Sequence, residues 1–245
     1  MEATKNTSAI VLNRQPYRES DSLITVYTPD FGKLVLVARG TKKPRSKLAG
    51  HVEPLNHIDL MIISGRGFDY VGSALARNAY QGIKGDLNKL FFAGRALSVF
   101  DRLIKENQAD QRLFFLLLDW LDQLENYPAP EFSRFSGELL FNFLTLKLLA
   151  ELGYNPQMQE CLDCQGKIVA GQNYFDLKNG GLICAECLKA RQEDSTGILT
   201  ISDDCIKLWR FMADNSFALA PKLKINQKLV KELSNLINGF LSFRD

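Results

Sequence analysis

The sequence predicts an α+β chain. A small β-barrel occupies residues 1–80, and a helical domain with an inserted cysteine module at about 157–192 occupies residues 81–245. Three observations carry this. The first 80 residues break into short runs rich in β-branched and aromatic side chains. From about residue 87 the apolar period becomes helical. Four of the five cysteines then stand in two Cys-x-x-Cys pairs with 19 residues between them.

The strand-like runs are TSAIVLN (7–13), SLITVYT (22–28), GKLVLVAR (32–39), NHIDLMIIS (56–64) and FDYVGSALA (68–76). TPDFG and SGRG are turn sequences between the second and third and between the fourth and fifth runs. Five short strands fit an OB-fold β-barrel, and the longest gap falls after strand three, where that fold carries its extra segment. Strand count alone also fits an SH3-like barrel.

Helices follow. Leu90, Ala93, Leu97, Phe100 and Ile104 share one helical face, as do Leu113, Leu117, Leu121 and Leu124, and then Leu140, Leu144, Leu148 and Leu152. The two prolines of ENYPAPE separate the second helix from the third. Gly153 caps the third, and Pro156 blocks its continuation. Two more helices are predicted from about 202 to 214 and from about 227 to 243, with Cys205 on a core face beside Leu208, Trp209 and Met212.

The spacing Cys161-x-x-Cys164 … Cys184-x-x-Cys187 matches a two-knuckle metal site. Four thiolates complete the tetrahedron that zinc prefers, leaving no position for water or substrate, so the module reads as one structural zinc per chain. NYFDL and KNGG between the pairs predict a hairpin. A redox pair would need a thioredoxin-like βαβ context, which flanks neither pair; buried, metal-free cysteines are the plainer alternative.

Net charge is +2, unevenly spread: residues 1–80 hold 11 Lys/Arg against 7 Asp/Glu. Arg39, Lys42, Lys43, Arg45 and Lys47 crowd into ARGTKKPRSK with no acid among them, and Gly40 and Pro44 predict a flexible arm rather than a helix. Such an arm attracts phosphates whatever their sequence. An OB barrel binds nucleic acid across strands two and three and the loops joining strands one to two and four to five. Arg14, Tyr17 and Arg18 fall in the first of those loops and Arg66 in the second. Tyr17, Tyr27 and Phe31 are the candidate base-stacking platforms.

Several classes are disfavoured. No apolar run reaches the roughly 18 residues of a membrane span, and the N-terminus lacks the pattern of a signal peptide. That predicts a cytoplasmic protein. There is no Walker lysine loop, and the chain's two histidines, His51 and His57, adjoin no candidate nucleophile. Asp119, Asp122 and Glu125, three apart, read as a solvated helix face. No catalytic residue is expected, and binding is favoured over chemistry. A zinc-stabilised adaptor with an SH3-like barrel, whose basic arm grips an acidic partner, is the competing class.

The order of parts resembles the bacterial DNA-repair family RecO. The resemblance rests on YRESDSLITVYTPDFGKLVLVARGTKKPRSKLAG, then LKLLAELGYNPQMQECLDC and GGLICAEC, and it spans the chain. It implies a recombination mediator of the RecF pathway that binds single- and double-stranded DNA, anneals complementary strands, and works with RecR to load RecA on SSB-coated DNA. It also implies contact with the acidic SSB tail through the helical domain, and a bacterial, nucleoid-associated location. Arg39, Lys42, Lys43, Arg45 and Lys47 match the family's basic stretch, and the four cysteines its zinc motif. One departure is Gln165-Gly166 where a glycine directly after the second cysteine is usual, which puts the turn of that knuckle in question. No position for the SSB tail is evident before LGY.

Overall fold

The computed structural model describes residues 4–191 and 196–243. The chain divides into two compact units, Met1–Pro128 and Ala129–Asp245.

In the first unit, β1 (Thr4–Tyr17), β2 (Asp21–Thr28), β3 (Gly32–Ala38), β4 (His57–Ile63) and β5 (Asp69–Asn78) close a barrel in the order β1-β2-β3-β5-β4. β1 is long enough to serve two neighbours. Its first half pairs with β4 and its second with β2, with a bulge between Val11 and Asn13 that bends the strand between the two. β3 and β5 close the barrel in parallel, Leu36 opposite Asp69 and Val37 opposite Tyr70. A shared first strand and a parallel closure are the OB arrangement, and they exclude the SH3-like alternative.

Alternation directs Ile24 and Val26 of β2, and Ile58, Leu60 and Ile62 of β4, into the barrel core. Ile10 and Tyr27 have the opposite parity, pair with each other across β1 and β2, and are nonetheless fully buried. The outer face of these strands is covered by helices. α1 (Gln81–Lys84), α2 (Leu87–Leu103) and α3 (Gln111–Asn126) follow β5. The Tyr27 ring stands 5.1 Å from Phe100, edge to face, and its hydroxyl bonds to the Asp110 carbonyl at 3.2 Å. Lys33 donates to the Asp101 carbonyl at 2.6 Å, and His57 lies 5.9 Å from Phe114. Residues 81–128, placed with the helical domain from sequence, thus pack in space with the barrel.

The segment between β3 and β4 is built of turns without helix or strand. It is not the flexible arm expected. Val52 is fully buried in the barrel core, with Leu48 packed beside it. The Asn56 amide donates to the Gly50 and His51 carbonyls, both at 2.9 Å, and the Thr41 and Ser22 hydroxyls bond at 2.7 Å.

In the second unit, α4 (Arg134–Glu151) is the central helix. Leu139 to Leu149 are almost all buried around its circumference, and Asn142 donates to the Ser234 hydroxyl at 2.8 Å. β6 (Gln157–Cys161), β7 (Asn173–Asp176), β8 (Gly181–Cys184) and β9 (Ile198–Ile201) form a sheet in the order β6-β8-β7-β9, with α5 (Ala185–Ala190) after β8. The expected hairpin is β7–β8; β6 and β9 flank it unforeseen. α6 (Asp203–Asp214) and α7 (Gln227–Ser242) complete the unit. Phe175 of β7 is fully buried, 5.7 Å from Trp209 and 6.0 Å from Phe240. The cysteine module therefore contributes to the helical core. Cys205 is buried in that core too, and burial pushes its thiol pKa up to about 12. Among the described residues, no helix is long and apolar enough to cross a membrane.

Candidate nucleic-acid interface and cysteine centre

Lys42, Lys43, Arg45 and Lys47 are all exposed on the anchored segment after β3. The backbone fixes their base: Lys42 N–H donates to the Ser20 carbonyl at 3.0 Å and Ser46 N–H to the Lys43 carbonyl at 2.9 Å. The Lys42 ammonium reaches back to the Arg18 carbonyl at 2.9 Å, tying the segment to the β1–β2 turn. Arg18 itself takes a left-handed backbone (φ +48°) and lies over the Tyr17 ring at 5.1 Å. Arg39 stacks on Tyr70, its guanidinium 4.0 Å from the ring centroid.

Arg14 differs from these cations. Its side chain is only 17% exposed and pairs with Glu53, donating also to the Ala49 carbonyl at 3.1 Å and the Ser22 hydroxyl at 3.3 Å. It fastens the segment to the barrel rather than facing outward. The strand-one-to-two and strand-four-to-five loops meet: the Tyr17 and Phe68 rings lie 6.1 Å apart, tilted by 55°. Arg66 is exposed in the same β4–β5 turn. Gly65 in that turn admits no side chain, since a Cβ would fall 2.2 Å from the Phe68 carbonyl oxygen and 2.6 Å from the Tyr70 ring.

Of the three stacking candidates, only Tyr17 sits here. Tyr27 is the buried barrel–helix contact described above. Phe31 packs partly against the barrel core with the Lys5 ammonium 4.9 Å away. Phe68, against Tyr17, and Tyr70, under Arg39, read as strand residues in the sequence; the signal available is two aromatics immediately after a glycine-rich, arginine-bearing turn.

The four cysteines converge. Cys161 ends β6, Cys164 lies in the following turn, Cys184 ends β8 and Cys187 lies in α5, and their sulfurs all lie within 4.8 Å of one another. Backbone donors aim at them: Cys184 N–H at the Cys161 sulfur, 3.4 Å, and Cys187 N–H at the Cys184 sulfur, 3.5 Å. Burial pushes the Cys161 thiol up, but N–H groups of Cys164, Cys184 and Asp163 outweigh it and hold the thiol at about 6. Cys187 is pushed up to about 12, first by hydrogen bonding to the Cys184 and Cys164 sulfurs. The Cys161 sulfur ionises readily while that of Cys187 resists, a difference that a divalent cation placed among the four sulfurs would level. Four soft donors in this spacing could hold a metal ion and fill its tetrahedral sphere.

The first knuckle keeps its turn despite the displaced glycine. Gln165 adopts the left-handed conformation (φ +58°), and Gln165 N–H bonds to the Cys161 carbonyl at 3.0 Å. Arg191, after α5, clamps the knuckles together. It grips Asp163 of the first knuckle through two bonds of 2.6 and 2.8 Å, and Asp176 of β7 at 2.9 Å.

The family model described as Recombination protein O N terminal matches residues 1–80, and the one described as Recombination protein O C terminal matches residues 84–244. The chain is 29% identical over 237 residues to a protein named DNA repair protein RecO from Dehalococcoides mccartyi (strain CBDB1), covering 97% of this chain and 89% of that relative. It is 30% identical to the protein of that name from Roseiflexus sp. (strain RS-1), over 96% of this chain and 79% of the relative. With the Syntrophomonas wolfei protein of that name it shares 29%, over 92% and 85%.

Proposed function

Because the chain belongs to the recombination protein O family, we propose that it is a DNA-repair mediator whose barrel binds single- and double-stranded DNA and anneals complementary strands. The carrying observation is the exposed cation set Arg39, Lys42, Lys43, Arg45 and Lys47 beside the meeting of the two loops through which OB barrels bind nucleic acid. Annealing requires two like-charged strands to approach, so phosphates must be screened while base edges stay free. Cations on an anchored segment do this with no catalytic step. Arg14 belongs to the same interface as a positioning residue.

Loading of RecA on SSB-coated DNA, with RecR as partner, is the expected setting. For the acidic SSB tail, the second unit offers a cleft of about 640 Å³ between α4 and α7. Phe135 and Val230 give it apolar lining, and Arg134, Lys228 and Lys231 outnumber the single carboxylate of Glu138. The cysteine centre holds one structural zinc through Cys161, Cys164, Cys184 and Cys187, and it contributes folding free energy rather than a reaction.

The test is a salt titration of oligonucleotide binding. Replacing Lys42, Lys43, Arg45 and Lys47 by alanine should weaken binding and lower the log–log salt slope by about 3 units, at roughly 0.7 per single-strand phosphate contact. An unchanged slope removes these residues from the interface.

A further inference from the structure

Phe68 is 47% exposed, stands outside the barrel core, and tops a turn whose Gly65 and Gly67 flank Arg66. A large aromatic left in water forfeits burial free energy and calls for a partner with an apolar face. Its surroundings say which kind. Its ring centroid lies 6.1 Å from that of Tyr17, the two rings tilted by 55°, and Tyr17 is in turn covered by Arg18. Tyr70, two residues on, carries the Arg39 guanidinium carbon 4.0 Å from its ring centroid. A planar cation backed by a ring is itself a stacking surface. The patch thus offers π faces ringed by positive charge, and no carboxylate pairs with Arg18, Arg39 or Arg66 among the described ion pairs.

We propose that Phe68, with the Arg39–Tyr70 stack beside it, is a platform for unpaired nucleobases. The ligand class is single-stranded nucleic acid, gripped by base faces as well as by phosphates. This deepens the annealing role and rests on it: stacking occupies the face of a base and leaves its pairing edge open to a complementary strand. A duplex, whose faces are already stacked, gains only the electrostatic part. The platform therefore favours single strands, while the lysines bind either form.

The experiment measures affinity for a short oligothymidylate and for an abasic oligonucleotide of equal length and phosphate count. The wild-type protein should prefer the base-bearing strand by roughly five- to a hundred-fold. Phe68→Ala and Phe68→Leu should lose most of that preference and keep the salt slope; Phe68→Trp should restore it. Lys42→Ala/Lys43→Ala should show the reverse, a lower slope with the preference intact. Equal wild-type affinity for the two strands, or a Phe68→Leu protein that still discriminates, overturns the platform. Failure of the wild type to bind either strand overturns the nucleic-acid role itself.

Discussion

The basic segment after β3 and the cysteine module both concentrate chemistry-bearing residues, and they direct them oppositely. In the module the groups that hold the fold close on one another. Asp163, Asp176 and Arg191 satisfy one another, backbone N–H groups point at sulfurs, and the sulfurs point at a common centre. In the basic segment, the inward work falls to Arg14, Thr41 and Asn56, which leaves Lys43, Arg45 and Lys47 in water. A motif whose donors and acceptors close on themselves holds structure together. One whose backbone is pinned while its charges stay outside keeps those charges available to a partner.

The largest expected effect comes from opening the module's centre. Structural zinc contributes about 10 kcal/mol or more of apparent binding free energy in small zinc domains. Cys161→Ser, or a strong chelator, should empty the proposed zinc site and abolish hydrogen-exchange protection of β6 to α5. Phe175 would then lose its hold on Trp209 and Phe240. Oligonucleotide binding through the barrel should persist at the same temperature. Metal analysis, exchange and DNA affinity on one preparation decide it. DNA affinity that falls in step with metal content would erase the distinction between the regions.

How far each region was legible in the sequence follows the same division. Local patterns showed through: the barrel strands, five helices, the cysteine spacing and the β7–β8 hairpin. What stayed hidden depended on distant pairing. β6 and β9 are only five and four residues long and exist because β8 and β7 offer edges. Arg14 looks like the other cations until Glu53 folds against it. The covering of the barrel by α2 and α3 shows only in Ile10 and Tyr27, whose parity is outward. The run AIVL in β1, apolar on both faces, was its one visible trace. Phe68 reads as a strand residue until its turn swings it against Tyr17.

A middle-sized effect contrasts the two arginines that hold the regions shut. Burial would raise the Asp176 pKa, but hydrogen bonds from Asn179 and Arg191 outweigh it and hold the carboxyl below the usual carboxylate range. Arg191→Ala leaves that buried carboxylate short of its charge partner and should cost about 2 kcal/mol, less than a fully buried pair because Arg191 is partly exposed. Arg14→Ala should cost about 1 kcal/mol, since Glu53 is half exposed and rehydrates. The pH dependence gives a second readout. A depressed folded pKa contributes stability that is full above the unfolded value near 3.9 and is lost as pH falls through the folded value. The gap between wild type and Arg191→Ala in urea unfolding should therefore be widest near neutral pH and narrow below about pH 4. A gap independent of pH would mean that Arg191 acts by packing alone.

The smallest effect probes the first knuckle, where Gln165 stands in place of the glycine that the resemblance leads one to expect. Gln165 holds a left-handed backbone, which costs a side-chain-bearing residue roughly 1–2 kcal/mol relative to glycine. Glycine in turn loses more chain freedom on folding, offsetting roughly 0.5–1 kcal/mol of that. Gln165→Gly should therefore stabilise the module by about 0.5 kcal/mol, read in urea unfolding, with oligonucleotide affinity unchanged. The turn forms with glutamine because the Cys161 and Gly166 backbone bonds and the converging sulfurs impose it, whatever residue stands there. If glycine proved neutral or destabilising, the Gln165 side chain would be making a contribution beyond the turn. The self-satisfied knuckle would then depend on a side chain as well as on its backbone, and the contrast with the basic segment would be one of degree.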